Sequence, residues 1–83
     1  MISKKKLGKK IKKLRTLSNL NQMEFSQVLG ISQGYISKVE SGVSYPSLKA
    51  LHMINKCFDI STDNLLDEKK DVELSERSKT KSA

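Results

Sequence analysis

Gln33, Gly34, Ser37 and Lys38 recur at spacings that bring them to one side of an α-helix, and their types suit the edge of a base pair. A glutamine amide donates and accepts at once, as adenine N6 and N7 require, and a lysine ammonium donates to guanine O6 and N7. A match of either kind contributes about 1–3 kcal/mol of discrimination. Ser37 reaches a base or a phosphate. Gly34 admits a thymine methyl or another residue into close approach, or else means that one base fewer is read. Gln22, upstream, opens a helix, where an exposed backbone amide and a side-chain amide suit a phosphate oxygen at the positive end of the helix dipole. Ser32 joins the phosphate set. So does Tyr35, for which stacking or packing at the rim are the alternatives. The expected partner is double-stranded DNA. The competing reading of the whole set is an ordinary solvated helix face.

Other chemistries lack their residues. His52 stands alone on the outer side of its helix, with no Cys or His at ligand spacing. There is no glycine-rich phosphate loop, and no serine that the sequence can place beside a histidine and an acid. No enzymatic activity, metal or cofactor is expected.

The elements that must position the polar set are short helices. Asn21 caps one at Gln22, with Glu24 three residues on to complete a capping box, and Gly30 ends it in a left-handed turn. Ser32 caps the next, which runs from about Gln33 to Ser41 and stops at Gly42. Two helices with so little linker cross steeply, which is the helix-turn-helix unit. Phe25, Leu29, Ile31, Ile36 and Val39 supply its core, and Ser26 is small where the two helices pass. An earlier helix from about Lys4 to Leu17 carries Leu7, Ile11 and Leu14 on one stripe, closed by Ser18-Asn19. Ser47 caps a fourth helix bearing Leu48, Leu51, Ile54 and Phe58, and Ser61 begins a short fifth with Leu65 and Leu66 turned inward. No segment alternates for long enough to make a strand. The expected fold is all-α, with five helices and the helix-turn-helix at the second and third.

Two charges fall on inward stripes: Arg15 beside Ile11 and Leu14, and Glu40 beside Ile36 and Val39. Each needs the other to offset its desolvation, so a buried or half-buried Arg15–Glu40 pair is expected, architectural rather than catalytic.

The chain has 83 residues and a net charge of +7, enough for one small domain and no second core. Residues 1–66 hold eleven Lys/Arg against four Asp/Glu, whereas 67–83 hold five of each, so the whole excess sits on the helical part. That placement is the footprint a phosphate-binding surface leaves. The lysines of the first helix have three fates open to them: solvation, distant steering, or flanking contacts from one or two of the N-terminal ones. Cys57, the single cysteine, lies on an inward stripe and fits a reducing cytosol. No apolar run approaches a membrane span or a signal-peptide core, and the lysine-rich helix has no aromatic to insert into a membrane surface. From Asp67 onward only Val72 and Leu74 are available for burial, too little to offset ordering entropy, so 67–83 reads as a mobile tail.

The segments LGKKIKKLR, NQMEFSQVLGISQGYISKVESG, YPSLKAL and DISTDNLL, spanning Leu7–Leu66, resemble the Cro/cI-type (Xre family) helix-turn-helix domain, the group that includes lambdoid phage repressors. Gln22, Ser26, Gly30, Gln33, Glu40 and Gly42 fall in register with its core pattern, while Gly34 departs from it, many relatives carrying a side chain there. The resemblance implies a lambda-repressor-like domain, bracing of Gln33 by Gln22, and phosphate contacts from Ser41, Gly42, Ser44 and Tyr45 in the loop after the third helix. It implies a bacterial or phage-encoded, cytoplasmic, nucleoid-associated repressor, dimeric on a palindrome, with Ile60, Leu65, Leu66, Val72 and Leu74 as dimer-contact candidates. The rivals are an antitoxin whose tail binds a protein partner, a restriction–modification controller, and an interaction module that keeps the fold without DNA contact.

Overall fold

A computed structural model describes residues 1–72. Five helices follow one another: α1 Lys4–Leu17, α2 Gln22–Leu29, α3 Gln33–Glu40, α4 Leu48–Phe58 and α5 Thr62–Leu66, with no strand among the described residues. The architecture is the expected five-helix, all-α one. Each helix starts where a side-chain oxygen satisfies an orphan amide. Ser3, Asn21, Ser32, Ser47 and Ser61 accept from the third residue of their helices. At α2 the box closes both ways, Asn21 Oδ1 accepting from Glu24 N and Glu24 Oε1 from Asn21 N, each at 2.8 Å. Gly30 ends α2 at φ 68°, and Asp59 ends α4 at φ 53°.

One core runs through all five helices. Leu7, Ile11 and Leu14 from α1 meet Phe25 and Leu29 from α2, Ile36 and Val39 from α3, Ile54 and Phe58 from α4, and Leu65 from α5. The Phe25 and Phe58 rings lie 5.5 Å apart at a tilted angle, a favourable aromatic arrangement. α1 presses closest to α3 at Gly8, where an added Cβ would sit 2.3 Å from the Val39 carbonyl oxygen.

Two expectations are corrected here. Leu66 does not turn inward; it is 38% exposed. Residues 67–72 are not a loose tail either. Lys10 Nζ donates to the carbonyls of Asn64 and Asp67 at 2.9 and 2.6 Å, Lys13 pairs with Asp71, and Val72 is 2% exposed. A single valine suffices because it joins a core already built, together with Ile2 of the N-terminal segment. Burial lowers the Lys10 pKa against the pull of Asp67 and Asp71, and the hydrogen bond from Lys13 holds the Asp71 carboxyl below its ordinary value. Residues 73–83, Leu74 included, lie outside the described residues. Ile60, Leu65 and Val72 are buried in the chain's own core, so of the described dimer candidates Leu66 alone is exposed.

Candidate nucleic-acid interface

The foundation of the site is the Glu40 carboxylate. Arg15 Nε donates to its Oε2 at 2.7 Å, Arg15 Nη2 to its Oε1 at 3.1 Å, and Gln22 Nε2 to the same Oε1 at 3.1 Å. Arg15 and Glu40 are each 8% exposed, and Arg15 Nη1 spends a further donor on the Leu20 carbonyl at 2.8 Å. One acid thereby ties α1, α2 and α3 together. Charges taken from water need such complete pairing, and among the described residues no buried side-chain polar atom lacks a partner.

On that base α3 turns its other side outward. Gln33, Gly34, Ser37 and Lys38 are all exposed. The Gln33 amide, the Ser37 hydroxyl and the Lys38 ammonium make no hydrogen bond within the described residues, and a Cβ on Gly34 would meet nothing within 4 Å. These four form one continuous strip of unspent polar groups and open space. The Gln22 side chain does not brace Gln33; its amide is directed to Glu40 instead. What Gln22 offers outward is its backbone, since the amides of Gln22 and Met23 precede the first helical bond of α2, which Phe25 N makes to the Asn21 carbonyl. Ser32 Oγ accepts from Tyr35 N and keeps its own proton for an outside acceptor.

The loop after α3 closes on the helix it leaves. Its amides fold back onto the helix: Ser41 N to the Ser37 carbonyl, Gly42 N to Val39, and Val43 N and Ser44 N both to Lys38. Ser41 Oγ also donates to the Lys38 carbonyl. The donors of Ser41 and the amides of Gly42 and Ser44 are therefore engaged in terminating α3 in the DNA-free chain. Tyr35 donates its hydroxyl proton to the Tyr45 carbonyl at 3.1 Å and accepts from Ser47 N at 2.7 Å, while Tyr45 donates to the Ile2 carbonyl at 2.9 Å. Without DNA, both tyrosine protons are thus engaged within the chain, and the two residues brace the loop. The chain of bonds from α3 through Tyr35 and Tyr45 to Ile2 locks the loop and the N-terminal segment to the reading helix.

Of two further residues that matter to this geometry, Gly8 was not singled out in the sequence and Lys5 was named there only as one of the first-helix lysines. Gly8 permits the α1–α3 approach, and the signal was available: a glycine inside a helical run costs about 1 kcal/mol against alanine and asks for a reason. Lys5 is the second. Gly42, at φ 83°, would carry a Cβ 3.0 Å from Lys5 Cα, so the α1 N-terminus lies directly against the loop that follows α3, and the exposed Lys5 side chain belongs to its flank.

Comparison with known proteins agrees with this arrangement. A family model described as Helix-turn-helix matches residues 11–65. The HTH-type transcriptional activator BcrR of Enterococcus faecalis is 38% identical over 83% of this chain and 34% of its own length. Antitoxin PezA of Streptococcus pneumoniae is 36% identical over 77% of this chain and 40% of its own. The ImmF control region 10 kDa protein of Bacillus phage phi105 is 43% identical over 65% and 60%. The chain thus spans about a third to three-fifths of the length of these curated relatives. With its two short crossed helices, its Glu40 hub and its match over most of the domain, this chain belongs to the Cro/cI-type (Xre) helix-turn-helix family.

Proposed function

We propose that the chain is a sequence-specific regulator of transcription that binds double-stranded DNA as a dimer on a palindromic operator and acts as a repressor. The observation that carries the reading is the outer strip of α3: Gln33, Ser37 and Lys38 hold every side-chain donor and acceptor unspent, on a helix whose opposite side is fixed by the Glu40 hub. Base edges in a major groove take up such groups, and a helix of this diameter enters that groove. Phosphate contacts fall to the backbone amides at the start of α2, to the Ser32 hydroxyl and to Lys5 at the flank. One such domain buries roughly 600–1,000 Å² of its own surface on DNA, short of what tight specific binding uses, so two copies about 34 Å apart complete the site.

Binding-site selection from a random duplex pool tests the reading. Lys38→Ala is expected to lose preference at one base position of each half-site, a loss of about 1–3 kcal/mol there. Gln22→Ala is expected to weaken all sequences alike, because it disturbs Glu40 and not a base. Equal effects of both variants at every position would remove the assigned roles.

The likeness to an antitoxin favours one second reading, a regulator that represses its own promoter and also binds a toxin. Copurification of a second polypeptide encoded beside this chain, with relief of DNA binding on titration, distinguishes it.

A further inference from the structure

The first turn of α1 and the segment from Leu66 onward wall two recesses of opposite character. One is an apolar groove of about 320 Å³ whose walls include Leu7, Pro46, Leu51 and Leu66; its one charge among the described residues is the terminal ammonium of Met1. The other is a cleft of about 270 Å³ in which Lys6, Lys9, Lys10, Lys69 and Lys70 outnumber Glu68 and Asp71. Ile2 lines both, so the two adjoin there. That ridge is fixed, because Ile2 is 3% exposed and its carbonyl accepts from the Tyr45 hydroxyl. We infer that the adjoining recesses bind a single-chain amphiphile with a phosphate head, its apolar chain in the groove and its head among the lysines.

The head follows from which charges are already engaged. Lys10 is bonded to the Asn64 and Asp67 carbonyls, Lys70 to the Asn64 side chain, and Asp71 to Lys13. The ammonium groups of Lys6, Lys9 and Lys69 make no hydrogen bond or ion pair among the described residues, and of the two acids in the cleft only Glu68 is likewise unengaged. A surplus of unengaged ammonium groups suits a phosphate monoester, which brings about two negative charges and three strong acceptor oxygens. The chain follows from the groove, whose size and apolar walls are those of a small-ligand pocket. A recess admits one chain at a time, whereas docking on a bilayer needs apolar groups that project into it. Neither step uses the proposed DNA reading.

Calorimetric titration of the 83-residue chain with dodecyl phosphate, below its micelle-forming concentration, tests the inference. Saturable binding of one molecule per chain is expected, at least about tenfold tighter than inorganic phosphate, which lacks the chain, or dodecyltrimethylammonium, which reverses the head. Lys6→Gln with Lys69→Gln is expected to weaken dodecyl phosphate by about tenfold, and Leu66→Ser, which leaves the charge unchanged, by about fivefold, each with the helical circular-dichroism signal retained. Lys12→Gln with Lys56→Gln removes as much charge from exposed positions outside both recesses and is expected to leave the affinity as it was. Equal losses in the two lysine pairs would mean that net charge alone attracts the head, and unchanged affinity in Leu66→Ser that the groove holds no chain; either result overturns the inference. Phosphatidylglycerol vesicles offer the same chemistry from a bilayer, and a chain that binds them but not free dodecyl phosphate overturns it as well.

Discussion

A carboxylate withdrawn from water is stable only while its oxygens are occupied, and Glu40 has three donors on two of them. Its neighbour Arg15 depends on it equally. Glu40→Ala leaves a guanidinium buried with only the Leu20 carbonyl to answer it, and unfolding in urea is expected to register a loss of about 3–5 kcal/mol. Replacing both residues together, Arg15→Met with Glu40→Met, is expected to recover most of that loss, since the desolvation cost leaves with the charges. If the double variant were as unstable as the single one, the pair would be contributing packing that methionine cannot supply. DNA affinity is expected to remain low in the stable double variant, because Gln22 has lost its acceptor and the start of α2 its anchor. Stability and binding therefore separate at this residue.

Helix starts and stripes were legible in the sequence because their causes are local. A capping oxygen sits within three residues of the amide it serves, and apolar residues three and four apart declare a face without reference to anything else. The Arg15–Glu40 pair was legible for the same reason, each charge marking itself by falling on an apolar stripe. Features that depend on what a helix meets were not legible. Tyr35 is a surface phenol until the loop returns to offer the Tyr45 carbonyl and the Ser47 amide, and Val72 is too little to bury until Ile2 and α1 provide its place. Two glycines show the contrast in a measurable form. Alanine is the better helix former by about 1 kcal/mol, so Gly34→Ala, with nothing within 4 Å, is expected to raise the melting temperature. Gly8→Ala gains the same propensity but drives a Cβ to 2.3 Å from a backbone carbonyl that α3 cannot easily move. It is expected to lose about 1–3 kcal/mol net in thermal denaturation. Two variants that shift stability in the same direction would mean that the α1–α3 crossing is looser than the structure has it.

Across the whole molecule the positive excess is divided into lysines that are already engaged and lysines that are not. Lys10 holds the carbonyls that end α5, and Lys13 answers Asp71, both on the side of α1 that faces residues 67–72. Lys5 lies on the other side, against Gly42 and the loop that leaves the reading helix. A phosphate backbone passing α3 along the Gly42 loop is expected to meet Lys5 rather than Lys13, whose ammonium is already paired with Asp71. Affinity for duplex DNA is expected to fall linearly on a logarithmic salt scale, with a slope of roughly −0.9 for each phosphate neutralised. Lys5→Ala is then expected to flatten that slope by roughly one phosphate's worth per domain, while Lys13→Ala leaves it unchanged within error. Titrations of a fixed operator at four or five salt concentrations would read the difference directly. Equal flattening by both variants would mean that the α1 lysines act as a diffuse cloud that steers the approach, and that the lateral division of the charge has no part in where the strand lies.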